Sequence, residues 1–115
     1  MELTEKTCTP CKGGTPPLTA EEAAGLAGAI PGWSIVENAT RLAREFKFRN
    51  FAQALAFVNA LGAIAESEGH HPDLCFGWGY ARVTLYTHKI AGLHENDFIM
   101  AAKFSQAFQS MAPVQ

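Results

Sequence analysis

Four histidines, His70, His71, His88 and His94, carry most of the chemistry open to this chain. Glu66 precedes His70 by four residues, and Asp97 follows His88 by nine. Imidazole is the side chain whose ordinary pKa lets it give and take a proton near neutrality. A carboxylate beside it fixes the tautomer and raises the basicity of the ring. A His/carboxylate group at the ends of predicted elements therefore points to general acid–base catalysis. Spacing alone leaves two other readings open. His-His-Pro can be a helix-ending loop whose imidazoles sit at the negative end of the helix dipole. Three histidines and a carboxylate can also hold zinc, although the side chains of adjacent His70 and His71 diverge and the HExxH spacing is absent.

Cys8-Thr9-Pro10-Cys11 is a CxxC without a second CxxC, and Cys75 is remote in sequence. A structural zinc site needs four ligands, and a redox use needs a strand before the motif and a helix after it. The motif is read as an inert or oxidisable part of a tail, with metal binding shared between subunits as the alternative. No GxSxG, P-loop or GxGxxG occurs.

The chain has 115 residues, 48% hydrophobic and 17% charged, the balance of one globular domain. Its formal net charge of -2 argues against a general nucleic-acid binder. Arg41, Arg44, Lys47 and Arg49 cluster in sequence, but Glu45 lies among them, and a solvated strand face accounts for them better than a basic patch. No apolar run approaches the roughly 20 residues of a membrane span. The polar start, with Glu2, Glu5 and Lys6, does not read as a signal peptide. Three cysteines, an odd number, fit a reducing, cytoplasmic setting better than a disulfide framework.

The elements that must position the histidines follow from hydrophobic period and punctuation. Residues 1–18 read as a flexible tail rich in Pro and Gly, and residues 19–115 as the domain. Thr19 and Glu22 have capping-box spacing for a short helix that ends before Pro31-Gly32. Residues 33–37 and 41–48 read as a hairpin, with Leu42, Phe46 and Phe48 on one face and Arg44 breaking that face. Asn50 caps a long helix over 51–68, ended by Gly69 and Pro72. Phe51, Leu55, Val58 and Leu61 form one stripe on it, with Phe57 and Ile64 off the stripe and alanines filling much of the rest. A helix so apolar all round needs cover on two sides, which predicts a homo-oligomer. Strands at 74–78 and 81–88 and a last helix over 95–111 complete the order α-β-β-α-β-β-α. This is an α+β, two-layer domain with a four-stranded antiparallel sheet packed on helices.

Glu66-Ser-Glu-Gly-His70-His71-Pro72, then Trp78, His88 and Asp97, resemble the pterin-4a-carbinolamine dehydratase family, also known as the dimerization cofactor of a homeodomain transcription factor. That family's signature is an acidic or polar residue, three residues, His-His-Pro, an aromatic about six on, a His after nine more and an Asp after eight more. Every element and gap is matched. Gly32-Trp33, Phe46-x-Phe48-x-x-Phe51, Val83 to His88 and Ala91-Gly92-Leu93 agree as well, and the resemblance covers about residues 18–112.

The resemblance implies metal-free dehydration of a 4a-hydroxytetrahydropterin to the quinonoid dihydropterin. His70, His71 and His88 would be the catalytic set, His70 and His88 exchanging protons and His71 mainly binding substrate. Glu66 and Asp97 would orient imidazoles, Trp78 would wall the flat ring, and Pro72 would help shape the site. It implies no cofactor beyond the pterin substrate, and a homodimer or homotetramer built through helix 51–68. Nucleic acid and membrane are not implied as partners. The alternative on the same fold is a non-catalytic binding, assembly or transcriptional partner protein. Two departures stand out: Leu74 takes a place where many relatives have Trp, and His94 takes one where Ser or Thr would cap the last helix better.

Overall fold

The computed structural model describes residues 2–10 and 12–111. The elements are α1 (Ala20–Ala27), β1 (Ser34–Val36), β2 (Arg41–Lys47), α2 (Phe51–Glu68), β3 (Asp73–Gly77), β4 (Tyr80–Leu85) and α3 (Glu95–Gln109). Short 3-10 turns stand at Leu3–Glu5 and His88–Ile90. The four strands form one antiparallel sheet in the order β1-β2-β4-β3, so β2 and β4 are central and β3 is an edge.

Local chemistry starts and stops the elements where the sequence says it should. Thr19 Oγ1 accepts the Glu22 amide at 3.1 Å while Glu22 Oε1 accepts the Thr19 amide at 2.9 Å, a complete capping box. Asn50 Oδ1 accepts the Gln53 amide at 2.9 Å and opens α2. Gly69, at φ 66°, closes α2 in the left-handed conformation that costs glycine least. That turn delivers His70 at the helix end, its amide bonded back to the Ala65 carbonyl at 3.2 Å.

Register puts Leu42 opposite Leu85, Arg44 opposite Val83 and Phe46 opposite Ala81 on the face that meets the helices. Phe46 packs on Phe57 at 4.6 Å between ring centroids and on Phe108 at 5.0 Å. Arg44, the residue that interrupts the apolar face, is accommodated there. Its guanidinium lies 4.3 Å from the Phe46 ring and donates to Ser105 Oγ at 3.1 Å. Gly32 makes room for it, since a Cβ at that position would stand 3.0 Å from the guanidinium carbon. Arg41 and Arg44 therefore lie on opposite faces of β2, and the four basic residues do not form one patch.

Two expectations about the helices change. The buried stripe of α2 is Ala54, Phe57, Leu61 and Ala65, while Phe51 and Leu55 are exposed and Val58 is half-buried. Phe57 wins because the phenyl cluster on the sheet lies under it. Phe51 instead stacks on Phe76 of the edge strand at 5.6 Å. The helix buried all round is α3, in which every residue from Asn96 to Ala102 is buried. Its outer side meets the N-terminal segment at the Leu3–Glu5 turn and at Cys8, whose thiol lies 3.8 Å from the Asn96 carbonyl. That segment, set apart above as a tail, runs along the domain: Lys6 pairs with Glu95 at 2.8 Å, and the Leu18 amide bonds the Leu93 carbonyl at 2.8 Å. Its few apolar residues suffice because backbone amides supply the other contacts. Among the described residues, no helix is long and apolar enough to cross a membrane.

Candidate active site

Strand β4 carries the chain to Thr87, where a bridge between Thr87 and Gly92 closes a small loop around the His88–Ile90 turn. Ala91 takes the left-handed conformation, φ 50°, to close it. The loop returns to His94, the N-cap of α3, so the end of β4, the start of α3 and the end of α2 converge.

Asp97 is the centre of this convergence and has no exposed surface. Its Oδ1 meets His70 Nε2 at 2.7 Å. Its Oδ2 accepts the Thr87 hydroxyl at 2.8 Å and the His94 amide at 3.0 Å. The last bond is half of a capping box, completed by His94 Nδ1, which accepts the Asn96 amide at 3.0 Å. His94 thus caps α3 effectively, contrary to the expectation of a poor cap, because an unprotonated ring nitrogen replaces the usual hydroxyl. The carboxylate that stabilises the helix start is the one that holds His70. With the Thr87 hydroxyl and the His94 amide on Oδ2, Oδ1 is open to accept from His70, and the tautomer that donates through Nε2 leaves Nδ1 as the nitrogen free to exchange a proton.

His71 faces differently. Its Nε2 pairs with Glu66, and both side chains are exposed, at 59% and 78%. His88 is exposed and stacks on Tyr86 with ring centroids 4.1 Å apart. Arg41 lies 3.7 Å from the Tyr86 centroid. Two groups that near one ring cannot share a face, so His88 and Arg41 sandwich Tyr86.

His70, His71 and His88 line one open cavity of about 640 Å³. Thr87, Lys89, Glu68 and Asn96 share it, together with Cys8, Thr9 and Pro10 of the N-terminal segment. Glu66 and Asp97 reach the site through their histidines. Pro72 is half-buried beside it and Trp78 is 72% exposed on the β3–β4 turn, both outside the cavity lining. Among the described residues, no three His, Cys, Asp or Glu side chains gather as a metal-holding group. Cys8 is half-buried and Cys75 exposed, both as free thiols, whereas Cys11 lies outside the described residues.

Sequence reasoning missed Thr87, Tyr86, Asn96 and the N-terminal wall. Thr87 left a signal, since alternation puts it on the buried face with Val83 and Leu85, where a hydroxyl needs a partner. Asn96 left none.

The sequence model described as pterin 4 alpha carbinolamine dehydratase matches residues 16–107. A provisionally named pterin-4-alpha-carbinolamine dehydratase of Methylococcus capsulatus is 59% identical over 104 residues, 90% of this chain and 91% of that one. One from Rubrobacter xylanophilus, with the same provisional name, is 58% identical over 102 residues, 89% and 94% of the two chains. Among solved structures, a transcriptional coactivator/pterin dehydratase from Brucella melitensis superposes with a TM-score of 0.75 at 33% identity, covering 79% of this chain and 97% of that one. A pterin dehydratase-like protein, identified as a RuBisCO assembly factor in the alpha-carboxysome, superposes with a TM-score of 0.60 at 30% identity, covering 70% and 93%.

Proposed function

Because the chain belongs to the pterin 4 alpha carbinolamine dehydratase family, we propose that its histidine cavity dehydrates a 4a-hydroxytetrahydropterin to the quinonoid dihydropterin. The observation that carries this reading is the buried His70–Asp97 pair opening onto a cavity that His71 and His88 also line. In the reaction the C4a–O bond breaks and the hydroxyl leaves as water with a proton from an acid. The N5–H proton passes to a base, and the N5–C4a double bond forms. One imidazole can supply the first proton and another take the second, so the proton count closes over the cycle.

His70 is the better defined of these groups. Asp97 fixes its tautomer and orientation and stabilises the imidazolium formed on protonation, and Nδ1 exchanges the proton. His88, held against Tyr86, is the second acid–base group. His71, paired with Glu66, binds substrate at the cavity mouth. Pro72 shapes the backbone there, whereas Trp78, exposed on the β3–β4 turn and outside the cavity lining, is given no role in this cavity. The pterin is the substrate, and no further cofactor or metal enters the scheme. A second copy of the chain is the proposed cover for the Phe51 and Leu55 face of α2, giving a homodimer or homotetramer. The free thiols suit a cytoplasmic setting, and recycling the pterin product of an aromatic amino acid hydroxylase is the proposed role.

The test is dehydration of freshly generated 4a-hydroxytetrahydropterin by native protein and by His70→Ala, with a chelator present. Fast native turnover that collapses in the variant supports the proposal. The names of the structural relatives favour a second reading, a non-catalytic assembly or transcriptional partner. A folded native protein without turnover would move the weight there.

A further inference from the structure

The N-terminal segment meets the cavity through two latches, each within two residues of the histidine machinery. Asn96, the neighbour of Asp97, is 2% exposed. Both ends of its amide are used by one residue: Oδ1 accepts the Thr9 amide at 3.0 Å, and Nδ2 donates to the Thr9 carbonyl at 2.7 Å. Glu68, two residues before His70, accepts the Cys8 amide at 2.8 Å and pairs with Lys103 of α3 at 3.1 Å. A buried side-chain amide that mimics a strand partner for a single backbone unit has one evident effect, which is to hold that unit in place. Cys8, Thr9 and Pro10 thereby line the same cavity as His70 and His88.

We infer that residues 8–10 are a fixed wall of the substrate site and that Asn96 is the residue that positions this wall, setting affinity for the pterin. This rests on the dehydratase reading and adds a determinant that the histidine machinery does not include. None of these wall residues pairs with an acid–base group. They offer a preorganised surface that contacts substrate and transition state alike, so their loss raises KM and spares kcat.

Asn96→Ala removes the latch from the domain side. Thr9→Pro removes the Thr9 N–H from the segment side and leaves Asn96 intact. Each should raise KM about tenfold with kcat within about twofold of native, and the double variant should be no worse than either single one. Amide hydrogen exchange at Cys8 should quicken in Asn96→Ala while the core amides of α3 stay protected. That result separates release of the wall from general loosening.

Unchanged KM in both variants, a fall in KM showing that the segment competes with substrate, or additive losses would each overturn the inference. A native protein without dehydratase activity would instead remove the reading of the site on which it rests, and the two failures are distinguished by the native control.

Discussion

His70 and His71 are consecutive residues with opposite surroundings. His70 is mostly buried, and its carboxylate partner Asp97 is wholly buried and bonded to two further donors. His71 and Glu66 stand in solvent and pair with each other. Gly69 makes the difference possible: the left-handed turn that ends α2 directs one ring inward and the next outward. The lesson concerns preorganisation. An imidazole held by a satisfied, buried carboxylate is already oriented before substrate arrives, whereas an exposed pair is ordered only when something closes over it.

The sharpest way to break this contrast is at Asp97. Asp97→Ala leaves the Thr87 hydroxyl, the His94 amide and His70 Nε2–H without their acceptor. It should lower stability by about 3 kcal/mol and turnover by about a thousandfold, read from denaturant unfolding and from dehydration rates. His70→Ala should cost turnover about as much with a smaller loss of stability. His71→Ala should leave stability within about 0.5 kcal/mol of native and reduce turnover less than tenfold, chiefly through KM. Equal losses at His70 and His71 would refute the distinction drawn here.

The exposed face of α2 offers a second comparison, because Phe51 and Leu55 leave apolar surface uncovered there. Leu55→Glu should reduce the mass measured by sedimentation to that of a smaller assembly while the chain stays folded. An unchanged mass would remove the second copy from that face.

Thiol chemistry sharpens the contrast on a smaller scale. Burial, reinforced by the charge of Glu68, pushes the Cys8 thiol up to about 12. Cys75 is exposed. At pH 8 Cys8 should alkylate at least about tenfold more slowly than Cys75, resolved by peptide mass mapping. The docked segment keeps the Cys8 proton where an undocked one releases it, from the ordinary value of 9.0 upward, so docking weakens as pH rises through that window. On the acid side, the Cys8 amide, helped by Lys103, holds Glu68 below its ordinary value of 4.5. Its contribution is therefore present above that value and lost as pH falls through the lowered pKa. The Cys8 amide resonance should titrate with a midpoint below 4.5.

Much of this architecture is legible in the chain because caps and alternation are local. Thr19 with Glu22, Asn50 and Gly69 mark helix ends through bonds to their own neighbours. The alternation of Val83, Leu85 and Thr87 sets the face of β4. The candidate site, by contrast, comes from the family resemblance carried by His-His-Pro, His88 and Asp97, since spacing alone left loop and metal readings open. What the sequence hides is non-local. The choice of Phe57 over Phe51 as the buried phenyl depends on which rings wait on β2. The packing of residues 2–10 rests on backbone amides meeting Asn96 and Glu68, and amides carry no sequence signature. Arg44 read as a defect because its partners, Ser105 and Phe108, lie about sixty residues away in the chain.

The central claim is that His70, oriented by buried Asp97, exchanges protons with a 4a-hydroxytetrahydropterin. Stopped-flow ultraviolet absorbance on freshly generated substrate, with chelator present, tests it most directly. The account predicts rapid decay with native protein and a loss of about a thousandfold in His70→Ala, in a variant whose folding is verified. Native protein that is folded but no faster than buffer would contradict it, as would a His70→Ala variant that keeps full turnover.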